Sequence, residues 1–125
     1  MTPGRRAWVD VGLWVFVQTL ITSVPGSAVP VDVHHPFDWL VHFGMYAVLG
    51  GLVARAVAVA GWPGRRVLWL LAGVSVAAAL DEWHQLFIPG RNGSAADWVF
   101  DSLGCAAGLF VGGRLMASRV GSWLR

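Results

Sequence analysis

The sequence contains no lysine and a single cysteine, and charged residues fill only 13% of its 125 positions. Soluble domains carry about a quarter charged residues, so this chain lacks the groups that keep a globule in water. Its nine cationic side chains are all arginines, scattered between apolar runs. No basic face or stripe forms, which sets nucleic acid aside as a partner. Cys105 has no second cysteine to pair with and lies in an apolar run, where a free thiol behaves as a small hydrophobe. What is abundant is apolar: 56% of residues are hydrophobic, and mean hydropathy is +0.60. A small domain buries only about two-thirds of its surface on folding. That is too little to hide this much apolar area from water, and lipid is the solvent the composition calls for.

Four apolar runs are separated by turn residues, at about 7–24, 38–60, 67–88 and 94–116. Each approaches the roughly 20 residues a helix needs to cross a bilayer. Membrane strands are about half that length and alternate strictly. Backbone polar groups in lipid must be satisfied within the segment, so the runs read as helices. The expected fold is therefore all-α: one domain, a four-helix transmembrane bundle and a multi-pass protein of the cell membrane. No internal repeat or low-complexity linker interrupts it.

The first run has a rival reading as a signal peptide, because Arg5 and Arg6 precede it and small residues Ser27 and Ala28 follow. Asp10 and Gln18 within the run argue against that reading and suit ordinary helix-packing contacts. Arginines fix the orientation. Arg5 and Arg6, then Arg55, Arg65 and Arg66, then Arg114, Arg119 and Arg125 all fall on one side of a four-span chain, and Arg91 alone falls on the other. The arginine-rich side is cytoplasmic by the positive-inside rule, so both termini are expected inside.

On that topology the remaining ionisable residues converge. Asp38 and His42 open the second helix, Asp81, Glu82, His84 and Gln85 close the third, and Asp97 and Asp101 open the fourth, all on the outer side. Asp38 and His42 share a face at four-residue spacing, continued inward by Met45 and Leu49. Ser94, Asp97, Asp101, Gly104, Gly108 and Gly112 form one stripe of the fourth helix. Glycines four apart admit a close neighbour, so this stripe faces the bundle interior. Glu82 and Gln85 share a face, with Asp81 and His84 to one side. First-turn acids favour the helix dipole and cap free amides, a structural reading open to Asp38, Asp97 and also Asp101. Ser94 reads as an N-cap with Asp97 at N3. Asp81 and Glu82 stand at a helix C-terminus, where the dipole disfavours anions, so no capping role is expected for them. His34 and His35 read as solvated loop residues.

These residues resemble the VanZ-like family of membrane proteins over nearly the whole chain. The most specific part is Asp81-Glu82-Trp83-His84-Gln85, then Pro89-Gly90-Arg91, then Ser94, Asp97, Asp101, Gly104 and Gly108. Asp38, His42-Phe43 and Tyr46 form a second part, and Ser23-Val24-Pro25-Gly26 a third. One position departs: where the family often has lysine after the first aspartate, this chain has Trp39. An anion held by that lysine in relatives would here fall to Arg91 alone, or the ligand differs. The resemblance implies a four-helix membrane protein and, through the family's named member, a link to low-level teicoplanin resistance. It implies no settled biochemical activity.

The candidate outer pocket thus comprises Asp38, His42, Tyr46, Asp81, Glu82, Gln85, Arg91, Ser94, Asp97 and Asp101. Three roles fit it. As an enzyme acting on an envelope lipid or precursor, it would use Glu82 and Asp97 as acid and base, with Arg91 clamping a phosphate or carboxylate. As a binding protein, it would hold a head group, a glycopeptide or a partner protein with the same residues. As a structural network, it would only lock the helices. His42 offers an acid–base group or a metal ligand, and a histidine with carboxylates suits zinc or harder divalent ions. But no His-Glu-x-x-His signature and no evident Ser-His-Asp set is present, and no metal or cofactor is expected.

Overall fold

The protein is described by a computed structural model that covers the backbone of residues 1–29 and 37–123 and the side chains as far as 118. The described residues form four helices and no strand: α1 (Pro3–Thr22), α2 (Phe37–Ala60), α3 (Arg65–Gln85) and α4 (Ala95–Trp123), with one 3-10 turn at Gly26–Ala28. His34 and His35, and the side chains of Arg119 and Arg125, lie outside the described residues.

Phe37–Ala60, Arg65–Gln85 and Ala95–Ser118 are long and apolar enough to cross a membrane. The 20 residues of α1 give about 30 Å of helix, also a spanning length, and Leu13, Phe16 and Leu20 are exposed along it. Arg5, Arg6 and Asp10 all lie within the N-terminal half of α1, however. Asp10 is paired with Arg55 of α2, Oδ2 to Nη1 2.7 Å. The Trp14 indole N–H donates to the Met45 carbonyl at 3.0 Å, a second tie between α1 and α2.

Helix ends differ from the sequence expectation for local reasons. The first helix starts at Pro3 rather than residue 7, because Thr2 accepts the Arg5 amide at 3.3 Å and proline suits the first turn. The third begins two residues early, at Arg65, and stops at Gln85 rather than 88. Its chain then tightens through three consecutive i to i+3 bonds, ending with the Ile88 amide on the Gln85 carbonyl at 3.1 Å. The fourth runs beyond 116 to Trp123, since no glycine-proline break stops it.

The bundle is organised around α2 and α4, whose interface is the most extensive; α1 packs on α2, and α3 on α4. Its core comprises Tyr46, Leu49, Val53, Ala54 and Val57 of α2, Ala78 of α3, and Cys105 and Leu109 of α4. The glycine stripe of α4 makes the closeness possible. A Cβ on Gly104 would overlap the Phe43 carbonyl, and one on Gly108 would overlap the Ala47 carbonyl and come within 2.9 Å of the Gly51 amide. Gly50 answers from α2, where a Cβ would fall on the Cys105 carbonyl. Two helix backbones therefore lie nearly in contact over several turns, gaining dispersion and weak Cα–H···O contacts that lipid tails cannot supply.

At the opposite end from the α1 N-terminus, two turns interlock. The Gly26 amide donates to the Pro89 carbonyl at 3.0 Å, and a Cβ at Gly26 would strike Gly90. Gly90 holds φ +73°, a conformation in which a side chain is strained. The Pro25-Gly26 and Pro89-Gly90 segments, distant in sequence, are thus one structural unit.

Gly108→Ala is expected to lower the thermal stability of the detergent-solubilised protein, by about 1–3 kcal/mol for overpacking. Gly113→Ala, whose Cβ meets nothing within 4 Å, should leave it unchanged or raise it by up to about 1 kcal/mol through helix propensity. Equal responses at the two positions would contradict the close-contact account.

Candidate functional site

The start of α2, the end of α3 and the start of α4 meet at one end of the bundle, and each contributes polar side chains to a shared cluster. His42 stands at its centre. Its Nδ1 lies 2.9 Å from Asp101 Oδ1 and 3.7 Å from Glu82 Oε1, and its Nε2 lies 3.7 Å from Asp38 Oδ1. Four-residue spacing places Asp38 beside His42, and the glycine contact one turn deeper brings α4 close enough for Asp101 to reach the ring. Asp101 is 0% exposed, Asp97 3% and Glu82 6%, so the acids are withdrawn from solvent rather than displayed at the surface. Asp38 and Asp97 also approach His42 closely, with one ligating atom of each of the three within 4.8 Å of the others.

Glu82 is fixed from two sides. Its Oε2 accepts the Ser94 amide at 2.8 Å, and its Oε1 accepts the Gln85 side-chain amide at 3.2 Å. This corrects the expectation that Glu82 has no capping role. The tight 86–94 turn folds the N-terminus of α4 back onto the end of α3, so the carboxylate answers the positive end of the next helix. Gly93 permits the approach, because a Cβ there would overlap the Glu82 carbonyl. Ser94 caps α4 as expected, its Oγ accepting the Ala96 and Asp97 amides at 3.1 and 3.4 Å.

Asp81 and Gln85 continue the network outward. Asp81 Oδ1 accepts from Thr22 Oγ1 at 3.0 Å and Oδ2 from Gln85 Nε2 at 3.4 Å. Thr22 was not among the residues singled out from sequence. Its signal was weak, a lone threonine near a helix end, and only the packing of α1 beside α3 gives it a partner. Gln18, one turn earlier, is buried on the same face. Tyr46 is buried one turn below His42. His84 is exposed, while Glu82 and Gln85 are buried, as their helical phase requires.

Arg91 does not join the cluster. Its Nη2 donates to the Ile21 carbonyl at the end of α1, 3.3 Å away, and no ion pair among the described residues links it to Glu82 or Asp101. It stitches α1 to the Pro89-Gly90-Arg91 turn instead. Trp39, at the departing position, stacks on Phe100 of α4 with ring centroids 5.2 Å apart.

The residues that carry the family resemblance are thus the residues that build this end of the bundle, and residues 8–115 match the VanZ/LLP1 family. The chain belongs to the VanZ/LLP1 family. No curated relative and no solved structure matches it. Within this VanZ/LLP1 protein Glu82 and Ser94 also line a cleft of about 260 Å³ between α3 and α4, together with Ala79, Trp83, Leu86, Gly93, Ala95 and Trp98. Glu82 and Ser94 are its polar wall and the two tryptophans its apolar one. The Trp98 indole N–H is held by the Ser75 carbonyl at 2.9 Å, which fixes this tryptophan in the cleft wall.

Removing the cap tests the turn that delivers Glu82. Ser94→Ala should cost about 1 kcal/mol in thermal unfolding of the solubilised protein, and Ser94→Thr should keep most of it. A silent alanine variant would mean that the cap does not hold the start of α4.

Proposed function

We propose that this VanZ/LLP1 protein is a four-span protein of the cell membrane, with both termini in the cytoplasm and the polar cluster in the outer leaflet, where it binds the polar head of an envelope amphiphile. The observation that carries this reading is the shared wall: Glu82 and Ser94 line both the buried cluster and the cleft between α3 and α4. A molecule with an apolar chain and a polar head matches such a cleft, its chain against Trp83, Leu86 and Trp98 and its head toward Glu82 and His42. Pockets that combine apolar walls with a few convergent polar groups are the usual form of ligand sites. A protective effect against the glycopeptide teicoplanin would follow from altered handling of such an envelope molecule.

The hydrogen-bonded His42–Asp101 pair favours a second, catalytic form of the same reading. A carboxylate that orients an imidazole is a common arrangement for general acid–base work. Turnover of a bound amphiphile, as against binding alone, separates the two forms.

Cells expressing the wild-type chain should tolerate more teicoplanin than cells without it. Glu82→Gln and Asp97→Asn should reach the membrane in normal amount and lose that protection. Variants missing from the membrane would instead mark the cluster as a helix-locking network, and an unprotected wild type would remove the resistance role.

Orientation has its own test. With Cys105 replaced by alanine, Asn92→Cys should react with a membrane-impermeant maleimide on intact cells, and Gly64→Cys only after lysis. The reverse pattern would invert the topology.

A further inference from the structure

The deepest part of the cluster has the composition and spacing of a metal site. His42, Glu82 and Asp101 are all buried, come from three different helices, and each offers a ligand atom within 4.8 Å of the other two. Ligands held about 2.1 Å from a tetrahedral ion stand roughly 3.4 Å from one another. The separations of 2.9 and 3.7 Å from His42 Nδ1 to Asp101 Oδ1 and Glu82 Oε1 bracket that distance.

A second observation comes from Asp101 alone. It is 0% exposed, yet its Oδ2 has no hydrogen-bond partner among the described residues. A carboxylate oxygen stripped of water and left without a donor is costly, and a cation beside it removes that cost. The surroundings complete the picture, since metal ligands are normally oriented by outer partners. Gln85 and the Ser94 amide fix the Glu82 carboxylate. Asp38 faces the other ring nitrogen of His42 at 3.7 Å. Arg91, the cation of the adjoining turn, is bonded to the Ile21 carbonyl.

We propose that His42, Glu82 and Asp101 bind one divalent metal ion of the zinc class. One imidazole with two carboxylates is a mixed nitrogen and oxygen set that suits zinc and its neighbours. Three protein ligands leave a coordination position open, and Glu82 places the ion beside the cleft between α3 and α4, where it would meet an anionic head group. The absence of a sequence signature does not bear against it, because single-helix signatures do not describe a site whose ligands come from three different helices. The inference deepens the proposed reading of this pocket, but its test needs no amphiphile.

The test uses the full chain, purified in detergent without a histidine tag and treated with chelator. It is titrated with cobalt(II), read by visible absorption, and then challenged with zinc. Saturable uptake of about one ion per chain, displaced by zinc, is expected. His42→Ala and Asp101→Asn should abolish it, and Asp38→Asn should weaken it about tenfold or more, as outer-partner losses do. Asp10→Asn, at the other end of the bundle, should leave it intact. X-ray absorption of the wild-type zinc form guards against variants that fail to fold: a nitrogen and oxygen shell with one imidazole supports the site. A sulfur ligand, several imidazoles, or no saturable uptake by the wild type overturns it. A chelator-treated chain that binds an anionic amphiphile but takes up no metal overturns the ion alone and leaves the pocket reading standing.

Discussion

The near contact of two helix backbones, α2 against α4, is the constraint on which the rest of this structure depends. Lipid offers helices no hydrophobic reward for associating, so a membrane bundle must gain its cohesion from close packing and polar contacts. Here Gly104, Gly108 and Gly112 of α4 meet Phe43, Ala47, Gly51 and Ala54 of α2, and larger residues at those places would push the axes apart. The same contact sets the site. Gly104 lies against the residue after His42, and Asp101 lies one turn before Gly104. The distance between the imidazole and the Asp101 carboxylate is therefore decided by the glycine seam below them. Packing and chemistry are linked through one helical register.

A second constraint acts at the turns. Pro89-Gly90-Arg91 carries no ligand atom of the cluster, yet it positions everything around it. Its carbonyl receives the Gly26 amide, its arginine reaches the end of α1, and its tightness returns α4 onto Glu82. Burying a polar group is costly unless it is hydrogen-bonded, and two donors are delivered to Glu82. The turn thus contributes to the site by geometry rather than by contact.

The cluster also separates two levels of polar chemistry. Thr22, Asp81 and Gln85 tie α1 to α3 through neutral-to-acid hydrogen bonds, which is the work of a structural network. His42, Glu82 and Asp101 lie beside that ring, and Asp101, fully buried, keeps one carboxylate oxygen without a hydrogen-bond partner among the described residues. A network built only for cohesion would use up its acceptors. Asp101 does not, and Glu82 beside it borders the cleft.

The sequence alone determined the four helices, their order and the end at which the acids gather. Hydropathy and helical phase are local properties, and each apolar run carries them without reference to its neighbours. The glycine stripe with Asp97 and Asp101 was legible for the same reason, as was the shared face of Glu82 and Gln85. Tertiary structure decided what those faces meet. Nothing local distinguishes Arg91 beside the acids from Arg91 reaching across to Ile21, and nothing along α3 reveals that its last turn receives the amide of Ser94, the cap of α4. Thr22 is an ordinary helix-end threonine until α3 lies beside it. The helix ends moved for short-range reasons, a threonine cap before Pro3 and a tightened chain before Pro89. The choice of partner among like polar groups depends on distances between helices, and those are set by side-chain volume at the glycine seam, which no single segment contains.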